Sequence, residues 1–250
     1  MPTGTEELVS RLRNARTIVA LTGAGVSAAS GIPTFRSGDG LWRQYRAEDL
    51  ATPDAFAHDP RTVWEWYDWR RTMIAAAQPN AAHTVLAKWS RRPGFTLVTQ
   101  NVDGLHERAG TANVIRFHGS IWELRCATGC GAVPWEDRTA PLTTRPPRCP
   151  ACGGIARPGV VWFGERIDPA VLERAAAAAT SADVFVSIGT SSLVFPAAGL
   201  LQHAKRTGAF TVEINPDATD ASRVVDLAIA APAEVALAML DSNVSAPTKT

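Results

Sequence analysis

Thr17-Ile18-Val19-Ala20-Leu21-Thr22-Gly23-Ala24-Gly25-Val26-Ser27-Ala28-Ala29-Ser30-Gly31-Ile32-Pro33-Thr34-Phe35-Arg36 decides how the rest of the chain reads. Ile18 to Leu21 is an unbroken apolar run of the length of one buried parallel strand. It breaks into G-x-G-x-x-A at Gly23, Gly25 and Ala28, where a small third residue lets the following helix pack close to the strand. The glycines let the backbone turn sharply and approach a pyrophosphate, with the first N–H groups of the helix facing the anion. The same pattern also occurs as a plain strand-to-helix turn. A dehydrogenase of this type carries an acidic residue roughly 20 residues further on, for the ribose hydroxyls. Here that distance falls in Arg36 to Trp42, a loop with no strand before it, so Asp39 and Asp49 are poor candidates. Gly31 to Arg36 instead looks like a segment with an aromatic and a cation, suited to closing over a ligand.

The composition bounds the answer. At 250 residues, 46% hydrophobic and 20% charged, the chain is globular and long enough for one large α/β domain or a domain with an insertion. A formal net charge of +1 supplies no basic field for nucleic acid or an anionic membrane surface. Met1 to Arg16 has no apolar core of signal-peptide type, and no apolar window reaches membrane-span length. The reading is a cytoplasmic protein, with no nucleic-acid or membrane partner. Four cysteines then point to metal rather than disulfides.

Further along, Phe95 to Thr99, Val114 to Phe117, Val184 to Ile188, Phe210 to Ile214 and Leu227 to Ile229 read as strands, with Val160 to Glu165 extended and apolar. Helical patterns fill Trp42 to Trp89, Asp168 to Ala179 and Ala233 to Leu240. Strands alternating with helices predict an α/β fold, a doubly wound, parallel, Rossmann-like sheet. The sheet domain is expected over 1–41, 90–119 and 158–241. A smaller domain is expected from a helical lobe at 42–89 and a four-cysteine zinc module at 120–157, with a frayed tail at 242–250.

Cys126-x3-Cys130 and Cys149-x2-Cys152 hold every cysteine of the chain. Two close pairs about 20 residues apart suit a tetrahedral site with each pair as one clamp. With all four ligands cysteine there is no open position for water, so one structural Zn2+ is expected. Of five histidines, His58, His83 and His203 fall on helices, where surface or satisfied histidines are the ordinary case, and His106 begins a short helix. His118 differs. It stands at a strand end, over the crevice where open α/β sheets bind ligands, with Gly119 beside it, which makes it the acid–base candidate.

Gly23 to Arg36, Thr99-Gln100-Asn101-Val102-Asp103 and His118-Gly119-Ser120 together resemble the signature of the sirtuins, the NAD-consuming protein deacylases. The resemblance runs from the glycine turn to Ile214-Asn215 and carries a four-cysteine zinc module at the same place. It implies NAD as co-substrate, with Gly23, Ala24, Gly25 and Ser27 at the phosphates and Ile32 and Asp103 at the nicotinamide carboxamide. Phe35 and Arg36 cover the nicotinamide, Gln100 and Asn101 hold its ribose, and His118 is the general base. Gly189, Thr190, Ser191 and Asn215 serve the phosphate and adenosine end, and Pro232 stands near the adenine where the family has a small residue. The implied chemistry is acyl transfer to ADP-ribose, giving nicotinamide, free lysine and O-acyl-ADP-ribose. The acyl-lysine protein is implied to add as an extended strand, between Leu193 to Phe195 and a segment holding Val161, Phe163, Gly164 and Glu165.

Val63 to Arg71 reads first as an amphipathic helix with aromatics inward. Tyr67 and Arg70, three apart, share a face. The sirtuin branch that removes succinyl and malonyl groups has Tyr-x-x-Arg in the matching helix and a small residue upstream, here Ala51. The resemblance therefore implies a deacylase for acidic acyl groups as well as, or in preference to, acetyl. A plain deacetylase, a mono-ADP-ribosyltransferase on the same scaffold and a non-catalytic NAD-binding zinc protein are the alternatives. Arg71 is read as pointing off the Tyr67–Arg70 face.

Overall fold

The computed structural model describes residues 4–34 and 45–245, apart from the Ser245 side chain. In chain order the elements are α1 (Thr5–Asn14), β1 (Ile18–Thr22), α2 (Gly25–Ala28), α3 (Ala47–Leu50), α4 (Pro53–His58), α5 (Pro60–Ala76), α6 (Ala81–Trp89), β2 (Phe95–Thr99), α7 (Leu105–Arg108), β3 (Val114–Arg116), β4 (Gly119–Cys126), β5 (Trp135–Glu136) and β6 (Ala156–Val160). α8 (Pro169–Thr180), β7 (Val184–Ile188), α9 (Ala197–Arg206), β8 (Phe210–Asn215), β9 (Leu227–Ala230) and α10 (Ala233–Ser245) complete the chain.

Six strands form one parallel sheet in the order β3-β2-β1-β7-β8-β9. β1 and β7 are buried along their whole length, as a doubly wound sheet requires. The order reverses between β1 and β7, which opens the crevice at the C-terminal ends of those two strands. The expected Rossmann-like architecture is present, and α1, α6 and α10 share the apolar cluster on one sheet face. α6 therefore packs with the sheet, although the sequence pattern groups it with the helical lobe. α10 continues to Ser245, and Arg13 donates to the carbonyls of Asn243 and Val244 at 2.5 and 3.3 Å. The first part of the expected frayed tail is thus an anchored helix end.

A second, antiparallel sheet, β5-β4-β6, carries the cysteine segment. β6 ends at Val160; the chain then turns, with Glu165 N–H bonded to the Trp162 carbonyl at 3.0 Å, so 160–165 is not one extended run. α5 joins this sheet to the rest. Asp59 starts it by accepting from the N–H groups of Arg61 and Thr62 at 3.1 and 3.0 Å, and Pro60 loses nothing in the first turn.

α5 is apolar on more than one side, and two of its charges point inward. Asp68, 3% exposed, accepts from Leu142 N–H at 2.6 Å and Arg145 at 2.5 Å. Arg71, 0% exposed, donates to the Asp137 carboxylate at 2.8 Å and to the carbonyls of Asp137 and Thr139 at 2.5 and 3.0 Å. Its guanidinium also lies 5.2 Å over the Trp122 ring. Arg71, one helical turn on from Tyr67, enters protein rather than water. Arg71→Met would strand a partly buried carboxylate and two carbonyls and should lower unfolding free energy by about 2–4 kcal/mol. Urea unfolding checks this, and an unchanged midpoint would refute the anchoring role.

Candidate functional site

Two turns meet at the switch point. Gly23 N–H bonds the Ile188 carbonyl at 3.0 Å, and Gly25 N–H bonds the Gly189 carbonyl at 2.8 Å. A Cβ on Gly25 would lie 2.8 Å from Gly189 Cα, and one on Gly189 (φ +58) would lie 2.6 Å from Val26 N. Glycine is required on both sides of this contact. Ala24 and Ser191 are half-buried in the same two turns. Across the crevice Gln100 donates to Thr190 Oγ1 at 3.0 Å, and Asn215 donates to the Thr190 carbonyl at 3.0 Å. The ends of β2, β7 and β8 are thereby tied together. Pro232 is exposed at the start of α10, its carbonyl accepting from Val235 and Ala236. Phe35 and Arg36 lie outside the described residues.

Beneath the first turn is a buried polar cluster. Ser27, 1% exposed, donates to Asp103 Oδ2 at 2.8 Å and accepts from Asn101 Nδ2 at 3.3 Å. Asn101 Nδ2 also donates to the Gly23 carbonyl at 3.0 Å. Burial raises the Asp103 carboxyl, while Leu105 N–H and Ser27 pull it back. Ile32 is buried and lines, with Trp66, Trp69 and Arg70, a narrow cavity beside this cluster. The structure therefore brings Asn101, Asp103 and Ser27 together, with Ile32 and Arg70 beside them.

His118 Nδ1 is 3.1 Å from the Gln100 carbonyl, and a carbonyl only accepts, so Nδ1 carries the proton. Nε2 is left as the lone-pair nitrogen. Burial lowers the His118 pKa and the Gln100 bond opposes this, so the ring is neutral at pH 7. That is the tautomer and charge a base needs.

Two further histidines belong to the site, and their helical positions gave no sign of it. Asn80 N–H bonds His83 Nδ1 at 3.3 Å, so Nε2 holds the proton and faces Ser27 Oγ at 3.5 Å. His106 Nε2 meets Thr22 Oγ1 at 3.0 Å, and the two rings are 4.8 Å apart. Burial pushes His83 down to about 4 and His106 to about 3, the neighbouring ring adding to the latter. Because these pKa values fall below that of the unfolded chain, the unfolded state takes up protons first as pH drops. Stability present above pH 6.5 is therefore lost toward pH 4, by about 2 kcal/mol per histidine between pH 6.5 and 5. Denaturant midpoints at the two pH values test this; equal midpoints would mean that the rings are charged in the fold.

The four cysteine sulfurs lie within 4.8 Å of one another. Cys126 and Cys152 sulfurs are 3.6 Å apart, and those of Cys130 and Cys149 are 3.7 Å apart. A tetrahedron with Zn–S bonds of about 2.3 Å has edges of about 3.8 Å, so the set fits zinc. The Thr128 hydroxyl, 3.1 Å from Cys126, helps to pull that thiol down to about 5. One zinc per chain should be found by metal analysis. Cys149→Ala, at the buried ligand, should lose it and lower the melting temperature. Full stability without metal would refute the site.

The Sir2 family model matches residues 23–196. The chain belongs to the Sir2 family. An Aquifex aeolicus (strain VF5) protein named NAD-dependent protein deacylase is 53% identical over 84% of this chain and 87% of its own. A crystal structure of a Sir2 homolog–NAD complex superposes with a TM-score of 0.91, at 47% identity over 96% of this chain and 93% of that one. A Sir2 complex with a deacetylated p53 peptide and 3′-O-acetyl ADP-ribose has a TM-score of 0.85 and 28% identity, over 95% and 97% of the two chains. In this Sir2 chain the glycine turn, the Asn101–Asp103 cluster and His118 fall inside the matched residues.

Around the second sheet, Trp162 Nε1–H donates to the Tyr67 hydroxyl at 2.9 Å, and Phe163 N–H donates to the Ala51 carbonyl at 2.9 Å. Ala51, Tyr67 and Trp162 share one buried apolar cluster. Arg70, half-buried, lies 5.2 Å over the Trp66 ring. Val161 N–H bonds the His118 carbonyl at 2.9 Å, which sets this loop beside His118. Glu165 is braced from within by the two terminal Arg157 guanidinium nitrogens, at 2.6 and 2.9 Å, and by Trp162 N–H at 2.9 Å. Its carboxylate is thus engaged inside the loop, beside Gly164 at the turn. No helix among the described residues is long and apolar enough to cross a membrane.

Proposed function

We propose that this chain is an NAD-dependent protein-lysine deacylase whose acyl pocket takes succinyl and malonyl groups as well as, or in preference to, acetyl. The observation carrying the deacylase reading is His118. A neutral imidazole tied through Nδ1, with Nε2 left as acceptor, stands at the crevice of a Sir2 fold. In this reading the acyl oxygen of the modified lysine attacks the ribose C1′ and nicotinamide leaves. His118 takes a proton from a ribose hydroxyl, which then attacks the imidate carbon, and water releases lysine and O-acyl-ADP-ribose. Asn101 and Gln100 hold the ribose, Ile32 and Asp103 the carboxamide, and the glycine turn with Ala24 and Ser27 the phosphates. Thr190, Ser191, Asn215 and Pro232 complete the adenosine end.

The acyl-lysine segment adds as an extended strand between Val160 to Glu165 and Leu193 to Phe195. Phe163 is 45% exposed, Leu193 51% and Phe195 69%, apolar surface that a peptide would cover. A cytoplasmic setting accords with four cysteines gathered for a metal rather than paired in disulfides.

The acidic-acyl reading rests on Arg70 and Tyr67. Burial pushes the Arg70 guanidinium pKa down, and Tyr67 and Asp103 only partly offset this. A carboxylate brought into the same space would pair with it, where otherwise that carboxylate is costly to desolvate. Charged hydrogen bonds of about 1.5–3 kcal/mol translate to roughly 10–150-fold in catalytic efficiency. Arg70→Met should therefore lower the succinyl-to-acetyl ratio of kcat/KM by that factor on peptides assayed with NAD. Arg61→Met, exposed on the same helix, is the control. Equal loss on both acyl groups would favour a plain deacetylase.

A further inference from the structure

We infer that Trp162 is a positioning residue for acyl selectivity: its indole N–H fills the acceptor side of the Tyr67 phenol and so directs the phenol proton to the acyl group. The inference rests on the acidic-acyl reading and adds what prepares Tyr67 for it. An indole N–H can only donate, so at 2.9 Å the Tyr67 oxygen must be the acceptor. The phenol proton then points elsewhere, and no acceptor takes it among the described residues. Tyr67 is 3% exposed, so water does not readily randomise the bond.

The indole cannot swing away, because it is held on several sides. The Arg157 guanidinium stacks 3.6 Å from its ring centre, and the Phe56 ring lies 5.1 Å away. Arg157 itself is fixed by the bidentate Glu165 pair and by the Val160 carbonyl at 3.2 Å. Glu165 also takes the Trp162 backbone N–H, so one carboxylate locks the residue and the cation that stacks on it. On the other side Tyr67 is gripped edge-on by Trp66 at 4.6 Å, the same ring that carries Arg70. A carboxylate entering beside Arg70 would meet a phenol proton oriented in advance, with no reorganisation at the moment of binding. An acetyl group has no carboxylate to receive it.

A double-mutant cycle tests this. kcat and KM would be measured on succinyl- and acetyl-lysine peptides with NAD for the wild type, Trp162→Phe, Tyr67→Phe and the double variant, with melting temperatures alongside. Trp162→Phe should lower the succinyl-to-acetyl ratio of kcat/KM by about three- to tenfold, mainly through KM for the succinyl peptide. The double variant should match Tyr67→Phe alone, because the indole acts through the hydroxyl. If the two effects multiply, or if Trp162→Phe leaves a ratio that Tyr67→Phe lowers, the inference fails while the acidic-acyl reading stands. If neither Tyr67→Phe nor Arg70→Met changes the ratio, that reading fails first. Should Trp162→Phe not fold, Arg157→Met releases the indole and enters the same cycle with the same expectations.

Discussion

The site depends on how closely two turns approach. Gly25 N–H reaches the Gly189 carbonyl at 2.8 Å, and neither residue has room for a Cβ. With the β1 and β7 turns in contact, the crevice floor is backbone. The side chains of Ser27, beneath it, and of Asn101 and Thr190 then gather from three different strand ends. Any larger residue at Gly25 would push α2 outward and with it Ser27, whose hydroxyl joins Asn101 to Asp103. A small conformational requirement at one turn thus sets the spacing of groups far apart in sequence.

Behind that turn the protein has placed an ionisable cluster in low dielectric. Such groups are stable there only when their bonds are made. Asp103 accepts from Ser27 and from Leu105 N–H, and its own carbonyl takes Trp122 Nε1–H at 2.7 Å. His83 and His106 remain neutral because burial disfavours their charged forms. The histidines therefore act as fixed dipoles, whereas His118 keeps an unprotonated Nε2 at the crevice. Asn80 shows how economically this is arranged. It caps α6 through Ala82 N–H at 2.9 Å and ties down the first turn by donating to the Val26 carbonyl at 2.8 Å.

Much of this was legible in the sequence, for physical reasons. Parallel strands covered on both faces are continuous apolar runs, so β1, β2, β7 and β8 stand out. Strand ends then name Asn101, Asp103 and His118 by position. β4 was not legible, because Gly119-Ser120-Ile121-Trp122-Glu123-Leu124-Arg125-Cys126 joins His118 directly to the cysteines with no turn signal between. The chain changes sheet through a turn at Phe117 and His118, and Gly119, at φ +78, opens β4. The roles of Arg71 and Asp68 were hidden too. Helical spacing tells which residues share a face of α5, but not that a second face meets protein instead of water. Nor does spacing show that Glu165 folds back on Arg157, since that needs the turn at Gly164.

α5 is consequently a helix with two jobs on two faces. Arg71 and Asp68 hold the segment 137–145, which lies between the two cysteine pairs, while Tyr67 and Arg70, within one turn of them, meet Trp162 and Trp66. A rigid helix transmits displacement along and around its axis because its backbone bonds are already satisfied. The zinc module therefore fixes more than its own loops. By anchoring α5 it sets where Tyr67 meets Trp162, and Val161, next to Trp162, is bonded to the His118 carbonyl. The four-cysteine module is in this way connected, through one helix and one loop, to both Tyr67 and His118.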